Sequence, residues 1–165
     1  MGNNTSAPER VLASFRQLST SATNLNHASD ELRDTISAFD AALKKLNLGI
    51  SAWVTISGNE DVNGDFWSRD LGYAKIGDTW GIALRDVTGN HNDPEAGYTT
   101  HEEWLFNDAP RWMRVEGVGK ITDLLESLTK QADTTTQKIK KKTLEAKELA
   151  AAISAAVAET KDQRK

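Results

Sequence analysis

The chain has no cysteine. That removes disulfides, thiolate metal sites and cysteine nucleophiles together, and it fits a reducing, cytoplasmic setting. No apolar run approaches the roughly 20 residues that span a bilayer. The N-terminus is polar and lacks the basic-then-apolar order of a secretion leader. There is no Gly-x-Ser-x-Gly elbow, no phosphate-cradling glycine loop and no helical His-Glu-x-x-His, so no cofactor and no catalytic constellation are expected.

Positive charge is scarce in the middle of the chain. Residues 49–110 carry three basic and eleven acidic side chains, against five and five in residues 1–48 and twelve and eight in residues 111–165. The local balances of 0, −8 and +4 make up the net −4. An acidic middle disfavours a nucleic-acid partner, because phosphate binding needs clustered Lys and Arg. The one basic cluster, Lys138-Ile139-Lys140-Lys141-Lys142, has no interleaved aromatics and is expected to be a solvated helix face. The opening Met1-Gly2-Asn3-Asn4-Thr5-Ser6 matches an N-myristoylation pattern that short polar N-termini meet by chance. No polybasic stretch follows it as a second anchor, so a membrane partner is not expected either. The Asn3 and Asn4 sequons have meaning only on an exported chain.

What the chain has in quantity is a seven-residue apolar repeat at both ends. Apolar or small residues fall at Val11, Phe15, Leu18, Ala22, Leu25, Ser29, Leu32, Ile36, Phe39, Leu43 and Leu46. The same spacing recurs through Val118, Ile121, Leu125, Leu128, Ala132, Thr135, Ile139, Lys142, Ala146, Leu149, Ile153 and Ala156. Alternating steps of three and four are the seam of a coiled coil. Ser6 and Glu9 form a capping box for a first helix over 6–48, with Gly49 as its left-handed terminator. Asp108, followed by Pro110 in the first turn, opens a second helix over 108–160. About 40 residues make a rod some 60 Å long.

The expected architecture is therefore α+β, a long antiparallel helical hairpin (a coiled coil) with a small antiparallel β-meander inserted between the two helices. Numbers summing to 164 pair Leu43 with Ile121, Phe39 with Leu125 and Leu18 with Ala146. The flanks Ser14, Ser21, Ala28, Thr35 and Ala42 are small where charges usually stand. The alanine-rich surface around Leu149 and Ile153 exceeds what one partner helix covers. Both features point to a homodimer or a helical protein partner.

Residues 49–107 hold Trp53, Trp67, Trp80 and Trp104, four of the five tryptophans. Ile50, Ala52, Val54 and Ile56 alternate with Ser51, Trp53, Thr55 and Ser57, which predicts a half-buried strand. Gly58 to Asp65 reads as a polar turn. Gly77-Asp78 is a two-residue hairpin signal. It pairs Ile76 with Thr79, Lys75 with Trp80, Tyr73 with Ile82 and Leu71 with Leu84, and it matches Asp70 with Arg85 and Arg69 with Asp86. Trp67, Leu71, Tyr73, Trp80, Ile82 and Leu84 then face the core. Gly72, Ala74, Gly81 and Ala83 form a smooth strip on the other face, open to another element or a ligand. A polar loop from Thr88 to Thr100 and an edge strand over 102–106 complete the head. Trp104 and Trp112 pin the second helix to the sheet, with Gly117 and Gly119 permitting close contact.

Trp53, opposite the aliphatic side of its own strand, is the candidate exposed binding aromatic. A divalent metal would use His91, Asp93, His101 and Glu102, which bracket the long loop, although their spacing matches no metal signature. His27 is expected to be solvated. The function class that fits is a non-enzymatic interaction or scaffold module that self-associates through its helices. The alternative is a small-ligand or metal-dependent module sited around His91 and His101.

Overall fold

The turn at Gly77-Asp78 organises the sheet. Gly77 takes φ +57°, a left-handed conformation that glycine adopts without a Cβ clash. β2 (Asp65–Ile76) and β3 (Thr79–Asn90) leave the turn as antiparallel partners in the expected register. Ile76 stands opposite Thr79, Tyr73 opposite Ile82, Leu71 opposite Leu84, Asp70 opposite Arg85 and Arg69 opposite Asp86. β1 (Ala52–Glu60) adds to β2 and β4 (Tyr98–Leu105) to β3, giving a four-stranded meander in the order β1-β2-β3-β4.

The computed structural model describes residues 6–93, 95 and 97–162, without the side chains of 159–162. The lipidation pattern at Gly2 and the sequon asparagines Asn3 and Asn4 lie outside the described residues. The fold is α+β, with α1 (Ala7–Lys45) before the sheet. A 3-10 turn (Phe106–Asp108), α2 (Arg111–Val118) and α3 (Ile121–Asp162) follow it.

The core forms on one face of the sheet. Leu71, Tyr73, Ile82 and Leu84 are buried there with Met113 of α2, Leu124 and Leu128 of α3, Ile36 and Leu43 of α1, and Phe106. Each such side chain contributes about 1.5–3 kcal/mol by leaving water. Gly117 is the contact point of α2, since a Cβ there would lie 3.2 Å from Leu84 Cδ2. On the opposite face the smooth strip is filled by the chain itself. A Cβ at Gly72 would collide with the Trp53 ring, and one at Gly81 would lie 3.0 Å from Leu105 Cδ2.

Several boundaries depart from expectation. α1 begins as predicted, with the Glu9 carboxylate accepting both the N–H and the hydroxyl of Ser6 at 2.9 Å. This contact holds the Glu9 pKa below the ordinary carboxylate value. The helix stops at Lys45, however, because Asn47 (φ +49°) turns left-handed before Gly49 does. The single second helix from Asp108 is two helices. Ala109 precedes a proline and is extended (φ −72°, ψ 158°), so Asp108 caps nothing and α2 starts at Arg111. Gly119 then ends α2 two residues after Gly117, and α3 starts at Ile121. β1 runs on to Glu60, β3 to Asn90, and β4 begins at Tyr98, shortening both expected loops. Trp67, expected in the core, is 41% exposed.

The largest departure concerns the seam. Only its inner positions are covered, at Ile36, Leu43 and Leu128, and beside Leu128 it is Leu124 rather than the seam residue Leu125 (39% exposed) that is buried. Val11, Phe15, Leu18 and Leu25 on α1, and Ile139, Leu149 and Ile153 on α3, are all more than half exposed. A heptad pattern specifies that a stripe needs covering, not which helix covers it. Within one chain the outer halves of the two helices do not cover each other. No described helix is long and apolar enough to cross a membrane.

Candidate functional site

The outer half of α1 is an uncovered apolar surface. Val11, Phe15 and Leu18 are 68%, 67% and 63% exposed and lie on one helix face, one or two turns apart. Their spacing reflects sequence choices that make sense only for a buried stripe, yet among the described residues no element buries it. Ser29 on the same stripe directs its hydroxyl to the Leu25 carbonyl at 2.8 Å, so its polar group is satisfied within the helix. On α3 the corresponding stripe carries Ile139, Leu149 and Ile153, interrupted by Lys142, whose amine is paired to Glu145 at 2.6 Å.

The head presents a second surface. Arg69 of β2 lies between two indoles, 5.1 Å from the Trp67 ring centroid and 4.6 Å from that of Trp112, with Asp86 at 3.3 Å. This cation–π sandwich ties α2 to the sheet, as expected of Trp112, and leaves both indoles half in solvent. Sequence reasoning paired Arg69 with Asp86 but missed the stack. Its available signal is Trp67-x-Arg69, two side chains on the same strand face.

Trp53, the candidate binding aromatic, is a packed, half-buried residue. Its ring covers Gly72 and receives the Arg85 guanidinium at 4.0 Å. Arg85 Nε donates in turn to the buried Asp70 at 3.0 Å, and Thr55 Oγ1 donates to the other oxygen of the same carboxylate at 3.1 Å. Trp53 thus belongs to a network on the face opposite the helices. Pairing Asp70 with Arg85 was legible from the turn; the indole beneath the arginine was not.

The proposed metal ligands are dispersed over the far end of the sheet. His91 stacks on Phe66 with ring centroids 4.3 Å apart and lies 3.1 Å from a Glu60 oxygen. His101 is the extra residue of a bulge in β4, and its Nε2 meets Thr88 Oγ1 at 2.7 Å. Phe66 stands opposite Gly89, and Thr88 opposite Trp67, so the two histidines contact opposite faces of β2 and β3. Glu102 is set against Asp86 in the ladder, and the Asp93 carboxylate accepts the Glu95 N–H at 3.2 Å. Among the described residues no three or more His, Asp or Glu side chains group as a metal site. His27 lies beside Glu31 at 3.7 Å on an exposed turn of α1.

No protein-family model matches the chain, and neither a curated protein nor a solved structure shows significant similarity to it.

Proposed function

We propose that the protein is a non-enzymatic interaction module that self-associates through its long helices as a homodimer. The exposed heptad repeat forms the coiled-coil seam of that assembly, and the acidic, tryptophan-bearing head is an attachment surface for other proteins in the cytoplasm. The observation that carries this reading is the exposure of Val11, Phe15 and Leu18 on a coiled-coil repeat. A lone helix gains nothing from that repeat, whereas a helix pair buries it. Close approach is supported by the small flanks Ser14, Ser21 and Ala28.

Sedimentation equilibrium tests it. The chain is expected to be dimeric, and a Phe15→Glu, Ile153→Glu variant monomeric with its sheet signature in circular dichroism intact. A wild-type chain that stays monomeric at high micromolar concentration would overturn the proposal.

A further inference from the structure

We infer that the self-association joins α1 to α1 of a second copy, in a homotypic interface made by residues 11–29. The inference rests on the self-association proposed above and names which of its helices meet.

Two exposed seams offer three pairings: α1 with α1, α1 with α3, and α3 with α3. They differ in the charge that must be covered. From residue 11 to residue 29 the seam of α1 is Val11, Phe15, Leu18, Ala22, Leu25 and Ser29. Its flanks are Leu12, Ser14, Ser19, Ser21, Asn26 and Ala28, and none of these twelve side chains ionises. Arg10 borders the strip, and Glu9, Arg16 and His27 fall outside its seam and flank positions. The outer seam of α3 includes Lys142 itself and is flanked by Lys138 and Glu145.

Covering Lys142 and Glu145 removes water from both charges, a cost that an ion pair recovers only with good geometry and further hydrogen bonds. Both pairings that involve α3 meet that cost. Pairing α1 with itself desolvates no charged side chain of α1 on the seam or its flanks; at the inner end of the strip Arg111 of α2 donates to the Asn26 amide oxygen at 3.1 Å, and the Ser29 hydroxyl is already bonded to Leu25. The interface is isologous, so each residue meets the same strip on the partner and the assembly closes at two chains. It leaves the lysines of α3 in water.

The test places charges on both flanks of this strip in the full chain. One variant carries Ser14→Glu, Ser19→Glu and Ser21→Glu, and another carries Lys at the same three positions. Glu and Lys favour helix over Ser, and the sites are exposed, so neither set is expected to unfold α1. Circular dichroism checks that. Each variant alone is expected to dimerise at least about tenfold more weakly than wild type at low salt. An equimolar mixture of the two is expected to recover the dimer. A Glu variant that dimerises more tightly would identify the lysine-bearing α3 as the partner and overturn the inference, as would two variants that both dimerise like wild type. In either case self-association itself stands. A monomeric wild type would instead remove the proposal beneath it.

Discussion

The Asp40 carboxylate of α1 accepts the backbone N–H of Ile82 at 2.8 Å. β4 reaches only as far as Ala83 on this side of β3, so the Ile82 N–H would otherwise be an unpaired donor on a sheet edge. Asp40 therefore does the work of a missing strand and fixes where α1 meets the sheet, while Lys44 one turn later pairs with the same carboxylate. Asp40→Ala leaves that donor without its charged acceptor and is expected to cost about 1.5–3 kcal/mol in urea unfolding. Asp40→Asn, which keeps an acceptor oxygen, is expected to cost less.

Tyr73 lies beneath the same corner. Burial first, and then the Asp40 carboxylate, push its phenol above the ordinary value of 10.0, while Lys44 opposes them. A raised folded pKa favours the neutral phenol, so this contribution to stability is complete below the unfolded pKa. It is lost as pH rises through the folded pKa, because the unfolded chain gives up the proton first. Urea midpoints are expected to hold below the unfolded phenol pKa of about 10 and to fall as pH rises above it, and Tyr73→Phe to flatten that fall. An equal alkaline slope in both proteins would rule the phenol out.

Gly117 and Gly119 predict opposite outcomes for one substitution. An alanine methyl at Gly117 lies 3.2 Å from Leu84 Cδ2 and 3.6 Å from Ile56 and Leu71, and Leu84 and Leu71 are fully buried with little room to move. At Gly119 the nearest atom is the Glu116 carbonyl oxygen at 3.7 Å, and φ is −61°. Gly119→Ala is expected to stabilise by about 0.5–1 kcal/mol through backbone entropy. Gly117→Ala is expected to lose stability despite the same entropic gain. Thermal midpoints of the two variants, moving in opposite directions, check both.

Local chemistry was the legible part of this fold. Gly77-Asp78 encodes its own turn, and from it the full β2–β3 register follows, down to the Asp70–Arg85 and Arg69–Asp86 pairs. Ser6 and Glu9 likewise specify the start of α1 within four residues. β4 was under-read because Tyr98 to Glu103 are exposed on both faces, so no apolar alternation marks them. Trp67 was misplaced because its exposure depends on how far α2 extends over the sheet, which nothing near residue 67 encodes. The heptads announced helices reliably, but their period contains no address for the partner. The packing of Trp53 was illegible for a related reason, since the arginine covering its ring comes from a strand two places away in the sheet.

Arg85 is predicted to matter more for stability than its partial exposure suggests. It is the cationic partner of Asp70, which is 5% exposed. Arg85→Ala strands that carboxylate with Thr55 alone and uncovers the Trp53 ring, an expected loss of about 2–4 kcal/mol. Adding Asp70→Ala removes the stranded charge, so the double variant is expected to lose less than the two singles combined. A double-mutant cycle by urea denaturation measures the difference, and strict additivity would show that the pair is not coupled.

The last prediction concerns the histidines. His91 packs on Phe66, on the side of the sheet that carries Trp53, while His101 bonds to Thr88 on the side that carries Trp67 and the helices. Imidazole ligands of zinc must approach within about 2.1 Å of one ion, and a pleated strand stands between these two. Any stabilisation by zinc or manganese in a thermal melt is therefore expected to survive at least one of the single variants His91→Ala and His101→Ala. His101→Ala is expected to lower the melt by itself, because it removes the partner of the Thr88 hydroxyl, worth about 1 kcal/mol. Metal-dependent stabilisation abolished equally by either single substitution would show that the two rings share an ion, and that the loop between β3 and β4 closes around the sheet edge to bring them together.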